Sequence, residues 1–92
     1  MPAVLDLNAP MISERFDRAA QYLGVAGGFK GFCGFVQDFN DSLGIPRKLS
    51  EMGVSKDRMD DLVNGAIIDP SCGGNPVELT EDIFRDLFER VI

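Results

Sequence analysis

Wherever apolar residues recur along this chain they recur three and four positions apart. No stretch alternates apolar and polar residues with the period of two that a half-buried strand requires. Phe16, Ala19, Ala20 and Leu23 follow Ser13, which is placed to cap a helix that Gly24 closes as its C′ residue. A second stripe runs through Phe29, Phe32, Cys33, Val36, Phe39 and Leu43 and stops at Gly44 and Pro46. Ser50 suits a single turn ending at Gly53. Ser55 suits the cap of a third helix with Met59, Leu62, Val63, Ala66 and Ile67 inward. Thr80 caps the last helix, with Glu81 and Asp82 against the positive end of its dipole and Ile83, Phe84, Leu87, Phe88 and Val91 on its buried face. Met1–Leu7 reads as the tail of a helix broken at Asn8-Ala9-Pro10. The expected fold is all-α, a small bundle of about four helices plus an N-terminal helix fragment.

Ninety-two residues, 45% of them hydrophobic, suffice for one modest core, so residues 1–92 are expected to form a single helical domain. A net charge of −6 repels phosphate backbones and anionic lipid, which argues against nucleic acid and membrane surfaces as partners. Apolar runs are no longer than Ala3-Val4-Leu5, far short of a transmembrane helix or a signal-peptide core. A soluble, cytoplasmic protein is expected. Histidine is absent, which removes the commonest general base and the commonest transition-metal ligand. Cys33 and Cys72 lack Cys-x-x-Cys spacing and read as free thiols, Cys72 beside glycine the more reactive and Cys33 on its apolar stripe the less.

Several segments invite a chemical reading. The Gly-Phe steps at 28-29, 31-32 and 34-35 are not preceded by a strand or followed by Lys-Ser/Thr, so they do not make a phosphate cradle. They read instead as a small helix face that another helix approaches closely, although Gly31 and Gly34 each cost about 1 kcal/mol against alanine. Asp38 to Ser42 begins like a calcium loop, but Leu43 and Leu49 stand where such a loop needs its glycine and its bidentate glutamate. Asp57, Asp60 and Asp61 at helical spacing, and the bases Arg47, Lys48, Lys56 and Arg58, read as solvated surface. The turn-rich segment Asp69 to Pro76, with two consecutive glycines exposing backbone N–H groups, is the strongest candidate for function.

The order of these motifs resembles a known family. Gly44-Ile45-Pro46-Arg47-Lys48-Leu49-Ser50-Glu51-Met52-Gly53-Val54 is similar to the Gly-(Ile/Leu)-Pro-x-x-Leu-x-acid-x-Gly-(Val/Ile) signature of the iron-containing (group III) alcohol dehydrogenases. Asp69, then Gly73-Gly74-Asn75-Pro76, then Thr80-Glu81-Asp82-Ile83 resembles the family's closing stretch. Met1–Asn8 resembles the segment after its last metal-binding histidine. The likeness runs through the whole chain.

The resemblance implies that the chain corresponds to the last quarter or so of such an enzyme, a truncated piece of its C-terminal helical domain. The complete enzyme would move hydride between NAD(P) and an alcohol or aldehyde, with a divalent metal such as iron or zinc polarising the oxygen. The family holds that metal with one aspartate and three histidines and binds NAD(P) on an N-terminal α/β domain. The resemblance places both upstream of position 1. It therefore assigns no catalytic, cofactor or metal residue to this chain, which is expected to be inactive alone. Ser71, Cys72, Gly73, Gly74 and Asn75 are implied to line the cleft between domains. The alternative is a stand-alone helical interaction or oligomerisation module derived from that family. In either case apolar surface lacking its usual cover, at Ala3, Val4, Leu5 and Leu7 and along Phe29, Phe32 and Phe35, leads us to expect a homodimer.

Overall fold

A computed structural model describes residues 1–92. The chain is all-α, with four α-helices: α1 (Pro2–Leu23), α2 (Gly28–Ser42), α3 (Met59–Ile67) and α4 (Glu81–Val91). Short 3-10 turns lie at Leu49–Met52, Lys56–Arg58 and Pro70–Gly74. The residues form two compact units, Met1–Ile45 and Pro46–Ile92.

The first unit is a helical hairpin of α1 and α2. The helix fragment expected before Asn8 and the helix expected from Ser13 are one continuous element, with Pro10 inside it. Leu5, Asn8, Ile12 and Ala20 are buried, and with Phe16 they follow one another at three- and four-residue steps. The inward face therefore stays in register across the proline. Interior proline costs about 3 kcal/mol by removing an N–H and crowding the preceding turn. Here Pro10 and Asp6, whose carbonyl loses that bond, are both exposed, so water can satisfy the freed group. Gly24, with φ 72°, ends α1 as the sequence suggests.

The start of α2 is held from a distance. The Phe29 N–H donates to the Asp17 carboxylate at 2.6 Å, which places a negative charge from α1 at the positive end of α2. Gly28, at φ 61°, suits a backbone and a space that a side chain would have to share with that carboxylate. Phe16 meets Phe32 edge-on at a centroid distance of 4.9 Å and Phe29 at 6.2 Å. The glycine face expected to receive a second helix does something else. A Cβ at Gly31 would overlap the Ala26 carbonyl of the preceding turn, whereas Gly34 has open space around it. No residue of α2 is fully buried, and Phe35 and Phe39 remain 48% and 53% exposed.

In the second unit, Met59 and Val63 of α3 pack with Phe84 of α4 and with Ile92. Leu49, Val54, Leu62, Ala66, Leu79 and Phe88 surround this cluster. Ser55 accepts from the Asp57 N–H at 3.3 Å, capping a 3-10 turn that leads into α3, and Thr80 accepts from the Ile83 N–H at 3.4 Å at the start of α4. Arg85 reaches across to Asp60 at 2.9 Å. The Ser50 hydroxyl donates to the main-chain oxygen of Ile92 at 3.1 Å, tying the Leu49–Met52 turn to the end of α4. Ile67, expected inward, is 42% exposed, because at the last turn of α3 it has rotated to the edge of the Met59–Val63 face.

Two substitutions with the same chemistry should act in opposite directions. Gly31→Ala forces the turn away from α2 and should cost about 1–3 kcal/mol. Gly65→Ala, in open space within α3, should add about 0.5–1 kcal/mol through helix propensity alone. Urea denaturation followed by far-ultraviolet circular dichroism measures both.

Candidate functional site

The candidate segment is organised from its first residue. Asp69 accepts from the Ser71 N–H at 2.8 Å, and Pro70 supplies a preset φ for the first turn. Hydrogen bonds from Ser71, through its side chain first and its backbone second, hold the exposed Asp69 carboxyl below the usual carboxylate range. The Cys72 thiol donates to the Ala66 carbonyl at 2.7 Å and fastens the turn to the end of α3. The Asn75 side chain donates to the Val77 carbonyl at 2.7 Å, bending the chain toward α4.

This folding leaves an open surface pocket of about 410 Å³ within the second unit, lined by Cys72, Gly73, Asn75, Pro76, Glu78 and Leu79. Three of the five residues singled out in the sequence, Cys72, Gly73 and Asn75, meet there. Ser71 and Gly74 belong to the same turn but not to the pocket wall. Pro76 closes the turn-rich segment singled out in the sequence, whereas Glu78 and Leu79 lie beyond it. They reach the pocket because residues after Asn75 fold back, and no local motif signals that.

Gly73 and Gly74 have ordinary backbone angles, and a Cβ on either would meet no atom. Nothing inside the chain therefore calls for glycine at these two positions. They keep the rim bare toward whatever approaches from outside. Chemically the pocket offers one carboxylate, one carboxamide and a thiol that already donates to a carbonyl. No nucleophile–base pair is assembled, and the chain holds no histidine to complete one.

The other charged clusters disperse. Asp61 pairs with Arg58 at 2.7 Å and Asp60 with Arg85, so the three carboxylates near the start of α3 do not converge. The Lys48 N–H donates to Glu51 at 3.2 Å, closing the turn that follows it. No three His, Cys, Asp or Glu side chains are grouped so as to hold a metal ion. No helix is long and apolar enough to cross a membrane. The longest, α1, carries Asp6, Glu14, Arg15, Asp17 and Arg18.

Against known proteins, the family described as "Fe-containing alcohol dehydrogenase family, C-terminal" matches residues 1–92. A 4-hydroxybutyrate dehydrogenase of Cupriavidus necator is 32% identical over 94 residues, which cover 98% of this chain and 24% of the relative. An NADPH-dependent butanol dehydrogenase of Clostridium saccharobutylicum is 28% identical over 100 residues, covering 99% of this chain and 26% of the relative. The chain thus spans about a quarter of the length of these curated relatives. No solved structure matches it.

The two thiols are free and both are half-buried, so burial does not separate them as their sequence contexts suggest. Electrostatics marks out Cys33. Desolvation, and then the nearby Asp6 carboxylate, push its thiol above the ordinary range. A raised value means less thiolate at neutral pH and slower reaction. In a Cys72→Ser background, Cys33 should react with a disulfide reagent more slowly than a free cysteine. Asp6→Asn should speed it by less than about threefold, since desolvation is the larger cause. Absorbance kinetics of the released thiol reads both effects.

Proposed function

Because the chain belongs to the Fe-containing alcohol dehydrogenase family, we propose that it serves as the C-terminal helical part of an NAD(P)- and metal-dependent oxidoreductase of alcohols or aldehydes, and that it is not catalytic by itself. The observation that carries this reading is the match of residues 1–92 to the C-terminal region of that family. The relatives' names, one a 4-hydroxybutyrate and the other a butanol dehydrogenase, support an alcohol as the substrate of the complete enzyme. NAD(P) and the metal belong to parts of such an enzyme other than these residues.

The residues of this chain do not fit the family's metal. Asp60 and Asp61 are paired with arginines and no three potential ligands are grouped, so no chemical step is assigned here to a bound ion. The contribution we assign to the chain is a wall. The Pro70–Gly74 turn, fastened by Cys72 and opened by two glycines that the fold does not need, presents a bare backbone edge beside Asn75. Such an edge suits close approach by a substrate or by another domain.

An exchange experiment tests the proposal. Replacing the matching 94 residues of the Cupriavidus enzyme by this chain should preserve measurable oxidation of 4-hydroxybutyrate. The isolated chain should neither reduce NAD(P) with simple alcohols nor retain iron or zinc through dialysis. A folded but inactive exchange product overturns the assigned role. Turnover or stoichiometric metal in the isolated chain overturns its silence.

A further inference from the structure

Arg47 and Lys48 take no part in the pocket, yet they stand just before an exposed serine. Of the five serines and one threonine in the chain, Ser50 alone has basic residues three and two positions before it. Pro46, Arg47 and Lys48 are exposed and belong to no helix, and Lys48 is extended, at φ −121° and ψ 145°. An enzyme that reads side chains from an extended segment therefore meets both bases without unwinding a helix. Ser50 itself lies in a 3-10 turn of four residues, the kind of short element that opens locally at little cost.

The Ser50 hydroxyl also fastens the core. It donates to the main-chain oxygen of Ile92 at 3.1 Å, and Ile92 is buried with Met59, Val63 and Phe84 at the centre of the second unit. Leu49, beside Ser50, packs on the same cluster.

We propose that Ser50 is a phosphorylation site for a basophilic serine kinase, and that its modification releases the end of α4 from the Leu49–Met52 turn. In the transfer, the Ser50 Oγ attacks the γ-phosphorus of a nucleoside triphosphate. A P–O bond to Ser50 forms as the bond to the β-phosphate oxygen breaks, the hydroxyl proton passes to the kinase's catalytic carboxylate, and the nucleoside diphosphate leaves. Arg47 and Lys48 supply the positive charge that an acidic substrate groove selects, in a chain whose net charge is −6.

The structural effect follows from the hydrogen bond. Esterification removes the one proton that a serine hydroxyl can donate. The phosphate replaces it with three acceptor oxygens and a charge of about −1.5 to −2. Set against the Ile92 oxygen, these acceptors repel it. Glu51, whose carboxylate accepts from the Lys48 N–H, is the next residue and adds like charge. The turn and the end of α4 therefore separate, and Ile92 loses its hold on the cluster. This inference does not depend on the enzymatic role proposed above.

Incubating the 92-residue chain with magnesium-ATP and the catalytic subunit of cyclic-AMP-dependent protein kinase tests it. Tandem mass spectrometry should place one phosphate on Ser50, and Ser50→Ala should take none. Replacing Arg47 and Lys48 together by alanine should slow incorporation about tenfold or more. Hydrogen exchange reads the consequence at the amides of residues 88–92, among them the Ile92 N–H that donates to the Phe88 carbonyl. They should exchange about tenfold faster in the phosphorylated chain. In Ser50→Ala, which loses the hydrogen bond without gaining charge, the increase should be about threefold. The amides of α2 should be unchanged by either. The proposal is overturned by no phosphate at Ser50, or by incorporation that ignores the two bases. A phosphorylated chain that exchanges no faster than Ser50→Ala overturns it equally.

Discussion

Burial is the scarce resource in this chain. Eight residues are buried out of 92, and one of them, Asn8, is polar. Isolated helices of nine to fifteen residues, the lengths of α2, α3 and α4, are marginal in water and draw most of their stability from packing. With so little packing, the ends of the helices matter more than usual. Several starts are secured by a side-chain oxygen, Asp17 at α2, Ser55 before α3, Asp69 at the Pro70–Gly74 turn and Thr80 at α4, and Gly24 and Gly53 close two exits through their backbone N–H groups. These contacts place the few buried side chains opposite one another. Val63, 1% exposed and set against Phe84 and Ile92, is the largest of the fully enclosed side chains.

The devices legible from sequence were those that act within a few residues. Thr80 followed by two acids, Ser55 before Asp57, and glycine at the ends of α1 and the Leu49–Met52 turn each announce a boundary by local chemistry. What was not legible acts over longer reach. Asp17 caps a helix that begins eleven positions later. Gly31 is demanded by the carbonyl of Ala26 and not by a facing helix. Pro10 looked like a boundary because proline usually is one, but the inward face runs past it unbroken. The candidate site divides in the same way. The turn and its Asp69 start follow from Asp-Pro and the glycines. The return of Glu78 and Leu79 to the pocket depends on where α4 packs.

Family membership gives the division into scarce core and bare surface a physical context. The chain matches only the C-terminal quarter of its relatives, and it leaves Phe35, Phe39 and Leu43 about half exposed or more. Gly73 and Gly74 tell the same story at smaller scale, since each leaves a gap that no neighbour in the chain fills. The helices fix the position of this turn, and its two glycines leave the backbone bare.

The contact between Ser50 and Ile92 has a consequence for where connections to the second unit can be made. It brings the last residue of the chain to within a hydrogen bond of a turn only four residues from where that unit starts, at Pro46. A unit whose two ends adjoin can be grafted into a surface loop of a host, or cut and rejoined at a new point, with short connections and little added loop-closure entropy. Within residues 46–92, that one hydrogen bond sets both boundaries of the unit side by side.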